Sequence, residues 1–141
     1  MSRLFSLTES IYYVKLLKGE DLLKELRKLL PQTGLELGFI TGIGGLERAK
    51  IGIFKGNGYD EVIIEALKGH VLEAASLIGN FVRAPNGEYY PHLHAVIARS
   101  KGEVYAGHVL EGCIVDPFLE IFIYALPGKT DVISEFKHRW T

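Results

Sequence analysis

The sequence predicts an α+β fold: a mostly antiparallel, curled sheet of half-barrel type carrying one main amphipathic helix at about residues 20–30. Three observations carry this reading. A leucine stripe of helical period, Leu22, Leu23, Leu26, Leu29 and Leu30, occurs early in the chain. After it the apolar period changes from about 3.6 to 2. The β-rich runs that follow are separated by short stretches of turn residues, and short connections between successive strands mean antiparallel pairing.

Residues 3–17 alternate loosely and are rich in Leu, Ile, Tyr and Val, so they read as one or two strands. Lys18-Gly19-Glu20-Asp21 signals a helix start, with a permissive glycine and two acids where the macrodipole favours negative charge. Lys24, Glu25, Arg27 and Lys28 fill the solvent side of the leucine stripe, and Pro31 is expected to end the helix. Seven strands are then expected, at 35–41, 49–55, 61–67, 71–82, 90–99, 103–110 and 118–125. Their separators include Gly42-Ile43-Gly44-Gly45, Gly56-Asn57-Gly58, Lys68-Gly69, Ala84-Pro85-Asn86-Gly87 and Ser100-Lys101-Gly102. Residues 130–141, ending in Lys137-His138-Arg139-Trp140, read as a short helix or an ordered extension.

The 141 residues show no linker or composition shift, so residues 1–141 are expected to form a single domain. Apolar residues make up 48% and charged residues 23%, which supplies a core and keeps the chain soluble. Sixteen Lys+Arg against 17 Asp+Glu give a net charge of −1, without the basic excess of a domain that lives on a phosphate backbone. Cys113 is the one cysteine, so no intrachain disulfide forms, and it reads as a small buried apolar residue. That suits a reducing cytoplasm. The start, Met1-Ser2-Arg3-Leu4-Phe5-Ser6, lacks a leader's apolar region, and no run is long enough to span a membrane.

The chemistry concentrates in Pro91-His92-Leu93-His94-Ala95-Val96-Ile97-Ala98. In a strand His92 and His94 share a face, about 6.6–7 Å apart at the backbone. The next hairpin supplies a third histidine. Ser100-Lys101-Gly102 fits a three-residue loop, with Gly102 in the left-handed position of a type I turn plus G1 bulge. That loop pairs Arg99 with Glu103 and puts His94 directly opposite His108, with side chains about 4.5–5.5 Å apart at Cβ and His92 on the diagonal. A two-residue loop would shift the register by one and pair His94 with Gly107 instead. Three neutral imidazoles suit Zn²⁺ best, with Fe, Mn, Co or Ni as alternatives, and they leave a position open for water or a substrate oxygen. As isolated strand residues the histidines would need only hydrogen bonds.

Other motifs offer less. Gly42-Ile43-Gly44-Gly45 is not followed by a helical pattern, so it reads as a turn with close backbone packing and not as a phosphate cradle. Gly-x-Ser-x-Gly and His-Glu-x-x-His are absent, and Ser76 and Ser100 have no evident base. Glu73, Arg83, Tyr90 and Glu120 are candidate acid/base or anion-binding groups near a metal, though each is more readily read as a hydrogen-bonded strand residue or a solvated charge. His70 and His138 have no comparable partners in the pattern, and neither is assigned a ligand role.

These residues resemble the plant and prokaryote conserved (PPC) domain family. The resemblance rests on His92-Leu93-His94 followed by Gly107-His108-Val109, on Thr41-Gly42-Ile43-Gly44-Gly45-Leu46, and on the segment from Gly69 to Asn80 with its Glu73, Ser76-Leu77 and Gly79-Asn80. It covers about residues 3–126. It implies an α+β domain similar to acetolactate decarboxylase, assembly as a homotrimer, and a metal site at His92, His94 and His108. Plant members join the domain to AT-hooks and act in nuclear DNA binding. This chain has no Arg-Gly-Arg-Pro core, so the DNA activity does not carry over directly.

Two functions follow. One is a metal-holding, homotrimeric binding or regulatory module whose partner is DNA, a protein or a small molecule at the metal. The other is a metal-dependent, lyase-like enzyme acting on a small oxygenated substrate, by analogy of fold. The second requires a polar-lined cavity at the open position. The first leads, because no secure catalytic partner for the metal is legible.

Overall fold

The computed structural model describes residues 3–126 and 130–141; Met1 and Ser2, where the stretch read for a leader begins, lie outside these. The elements run β1 Arg3–Ser6, β2 Ile11–Leu17, α1 Leu22–Thr33, β3 Leu37–Phe54, β4 Tyr59–Glu65, β5 Leu72–Arg83, β6 Tyr89–Ser100, β7 Glu103–Val109 and β8 Ile114–Ala125. A 3-10 helical segment, Thr130–Arg139, follows. The strands form one antiparallel sheet in the order β1-β2-β8-β3-β5-β6-β7, with β4 paired to β3. β7 also meets the far half of β3 at Ile51–Val109 and Gly52–His108, so the sheet curls back on itself without closing fully.

α1 buries Leu22, Leu23, Leu26, Leu29 and Leu30, the stripe expected from sequence. They join one buried core with Val14 and Leu16 of β2, Leu93, Ala95 and Ile97 of β6, Leu77 and Phe81 of β5, and Leu119, Ile121 and Ile123 of β8. Asp21 caps the helix: Oδ1 accepts the Lys24 N–H at 3.1 Å and Oδ2 accepts the Gly112 N–H at 2.8 Å. The second bond ties the helix start to the β7–β8 turn.

Pro31 does not end the helix, which continues to Thr33. A proline at this position removes a single ladder bond, the one its N–H would make to the Arg27 carbonyl, and the last turn carries on past it. The Thr33 hydroxyl donates to the Leu30 carbonyl at 2.7 Å, and Gly34 closes the turn in the left-handed conformation at φ 69°.

The larger correction concerns Gly42-Ile43-Gly44-Gly45. It is not a turn between two strands but the middle of the 18-residue β3. The expected close backbone packing is present. A β-carbon at Gly42 would stand 2.7 Å from the Glu120 carbonyl oxygen, and one at Gly45 would stand 2.3 Å from that of Asp116. Register shifts fall at Gly42/Gly44 against β5 and at Gly44/Leu46 and Leu46/Arg48 against β8. These bulges bend β3 so that its first half pairs with β5 and β8 and its second with β4 and β7. β8 also starts earlier than expected, at Ile114.

Candidate metal centre

His92 and His94 alternate with buried Leu93, Ala95 and Ile97, so they project from the face turned away from α1. His94 stands directly opposite His108, as the hairpin count requires. The loop reaches that register by a different route. Ser100, not Arg99, opposes Glu103, and the ladder shifts between Ala98 and Ser100. A bulge at Arg99 absorbs the extra residue. The Arg99 guanidinium leaves the ladder to donate to the Glu65 carbonyl at 3.0 Å and the Glu103 carboxylate at 2.9 Å.

One ring nitrogen from each of His92, His94 and His108 lies within 4.8 Å of the others. Their ring centroids are 5.0 to 5.6 Å apart. Tyr59 stacks on His108 with centroids 4.4 Å apart and planes 13° from parallel. Gly52 makes room for it, since a β-carbon there would stand 2.8 Å from Cβ of Tyr59. Nδ1 of His108 is buried without a hydrogen-bond partner.

The terminal segment completes the surroundings. Arg139 Nη2 donates to Asn80 Oδ1 at 2.6 Å and lies 3.3 Å from His92 Nδ1, while Nη1 donates to the Tyr90 carbonyl at 3.2 Å. The guanidinium rests on the Phe136 ring at 4.8 Å, and Trp140 packs on Tyr90 with centroids 6.0 Å apart. Burial, then the Arg139 charge and the neighbouring imidazoles, push His92 down to about 4. Burial, then His94 and Arg139, also lower His108. Both are therefore neutral at neutral pH, the state in which imidazole ligates a metal.

Two openings border the cluster. One, of about 310 Å³, is lined by Tyr59, Tyr90, His92, His108, His138 and Arg139. The other, of about 520 Å³, is lined by Gly52, Ile53, Phe54, Tyr59 and the three histidines. Three converging imidazole nitrogens, one of them on a ring with an orphaned buried Nδ1, fit a divalent ion of borderline softness. The remaining coordination position would face these openings.

The other candidates lie elsewhere. Glu73 is exposed and opposes Ala98 in the β5–β6 ladder. Arg83 pairs with Glu36 at 2.9 Å, and Glu120 accepts the Tyr13 hydroxyl at 2.9 Å. None of the three lines either opening, whereas Tyr90 does. His70 is exposed, with Nδ1 3.1 Å from the Lys68 carbonyl. Cys113 is buried against Lys50, and burial pushes its thiol up to about 11. Sequence reasoning missed Tyr59, Asn80 and Arg139, and left unassigned His138, which lines the smaller opening.

A curled antiparallel sheet with three imidazoles gathered on the face away from α1 defines a small, sheet-built domain that could hold a metal ion. The chain belongs to the Plants and Prokaryotes Conserved (PCC) domain family, whose model matches residues 5–127. Among solved structures it is similar to a plant- and prokaryote-conserved (PPC) protein of Pyrococcus horikoshii. That likeness has 30% identity and a TM-score of 0.73, over 92% of this chain and 84% of that one. A metal-containing protein of Archaeoglobus fulgidus is similar at 26% identity and TM-score 0.73, over 89% of this chain and 84% of that one. A candidate DNA-binding protein of Bacteroides thetaiotaomicron shares the fold at 24% identity and TM-score 0.79, over 92% of this chain and 87% of that one. Of curated proteins, the chain is 31% identical over 118 residues to the bifunctional protein GlmU of Synechococcus sp. (strain JA-2-3B'a(2-13)), which is 83% of this chain. It spans only 17% of that relative's length.

Proposed function

We propose that this chain is a homotrimeric binding module that holds a divalent metal ion, zinc by donor chemistry, on His92, His94 and His108. The observation that carries the reading is the convergence of three imidazole nitrogens within 4.8 Å beside two openings. Bound there, the ion supplies a Lewis-acidic position for an oxygen ligand. The printed description of the Archaeoglobus fulgidus relative, a metal-containing protein, supports the same reading. Self-association is supported by the apolar residues exposed on the sheet face that carries the histidines, among them Ile43, Ile78 and Phe122. A cytoplasmic setting agrees with the lone, buried cysteine. Among the described residues no helix is long and apolar enough to cross a membrane.

Metal analysis of protein purified without a histidine tag tests this, repeated on His94→Ala. A near-stoichiometric ion in the first and its loss in the second are expected. A metal-free, correctly folded first sample overturns the reading.

A second reading, a metal-dependent enzyme, draws on the openings, which give a small molecule access to the cluster. It needs an acid or base at the metal, and the smaller opening offers Tyr90 and His138 for that role, with no Asp or Glu in either lining. Turnover of a small oxygenated substrate that is lost in His94→Ala would favour it. DNA binding is suggested by the name of the Bacteroides thetaiotaomicron neighbour. Absence of any gel shift at low salt, where phosphate contacts are strongest, removes it.

A further inference from the structure

We infer that the histidine site takes a small oxyanion, a carboxylate or a phosphate, with one oxygen on the metal and another on Arg139. This rests on the metal reading and names the ligand class of the same site.

The argument starts from charge. Three neutral imidazoles bring no negative charge to a divalent ion. Arg139 adds a positive charge beside them, with Nη2 3.3 Å from His92 Nδ1. No Asp or Glu lines either opening, and among the described residues Arg139 forms no ion pair. By contrast, Arg27, Arg48, Arg83 and Arg99 each pair with a glutamate. A dication and a guanidinium held together in a half-buried site repel, and an anion between them turns that repulsion into two attractions.

The hydrogen bonding agrees. Asn80 Oδ1 and the Tyr90 carbonyl hold the two terminal nitrogens of Arg139, and the Phe136 ring supports its plane. The head is thus positioned by neutral groups that leave its charge uncompensated. Nε–H of Arg139 is buried with no partner. A guanidinium whose charge is uncompensated and which lines an opening is suited to a carboxylate or phosphate oxygen, which makes the stronger, charge-assisted kind of bond with a terminal N–H. The smaller opening, of about 310 Å³, joins His92, His108 and Arg139 in one lining, so one small molecule can touch both metal and guanidinium. Arg139 lies beyond residues 5–127, the part that the family model matches.

The test uses the cobalt-loaded full chain, whose visible absorption reports the metal's ligands and whose only tryptophan, Trp140, reports the docking of the terminal segment. Acetate and inorganic phosphate are titrated separately. A saturable spectral change with at least one of them is expected. Acetate alone assigns carboxylate ligands, and phosphate alone assigns phosphate ligands. Arg139→Met should bind the same cobalt but hold the anion roughly ten- to a hundredfold more weakly, the worth of one charge-assisted hydrogen bond. Arg139→Lys, which keeps the charge, should lose less. Trp140 emission in both variants shows whether the segment still packs on Tyr90. Cobalt uptake with no response to either anion, or with unchanged affinity in Arg139→Met, overturns this inference alone. Failure to take up cobalt overturns the metal reading and this one with it.

Discussion

His92 shares its surroundings with two imidazoles and the Arg139 guanidinium, and its proton affinity drops accordingly, from 6.5 to about 4. In an unfolded chain the same residue takes up a proton as pH falls through about 6.5. Between those values the unfolded state binds more protons than the folded one, so stability falls as pH falls through the window and is unaffected above it. His108, lowered by burial, acts with the same sign. For metal-free protein we expect a urea midpoint that is flat above neutrality and declines between pH 6.5 and 4. His92→Gln should remove part of that slope, which parallel urea titrations would detect. At this scale the sequence made the histidines legible, because strand alternation and one hairpin suffice to co-locate them. Arg139 was not legible: it joins His92 across 47 positions, and no local pattern in the tail reports where it docks on β5 and β6. Tyr59 was hidden for a related reason, since its place over His108 depends on β3 pairing with β4 and β7 together.

Among the elements, α1 and most strands follow from local pattern, while β3 does not. Its glycines have the composition of a turn, and only the carbonyls of β8 pressed against them explain why the strand runs on. The hairpin shows how two local features can offset each other: the closing pair differs from the expected one, yet the bulge at Arg99 delivers His94 opposite His108. β5 sets the height of β6 beneath the site in a way that can be tested. A β-carbon at Gly79 would stand 1.9 Å from the His92 carbonyl oxygen, a backbone atom that cannot swing aside. Gly79→Ala should therefore separate the two strands and destabilise the protein by about 3 kcal/mol, measured by urea denaturation. The neighbouring Ile78→Ala, at a half-exposed position, should cost far less.

Across the whole molecule one row of residues crosses the sheet on the face away from α1: His108, His94, Ile78, Thr41, Phe122, Tyr13 and Phe5. Ile78 is 50% exposed, Phe122 37%, and Ile43 close by 58%. Exposed apolar side chains gathered on one face in this way mark a candidate contact surface. If copies of the chain cover it in the proposed trimer, Phe122→Lys should yield monomers in light scattering while circular dichroism stays unchanged. Unaltered mass in that variant would place the contact elsewhere. The way the histidine site is assembled has a consequence for diversity within such a fold. Its nitrogens are rooted in two adjacent strands, whereas its one guanidinium arrives on a segment after the last strand. If the site binds as proposed, ion capture and ligand choice sit on separately replaceable stretches of chain, and exchanging the tail would retune what the site accepts and leave its grip on the metal intact.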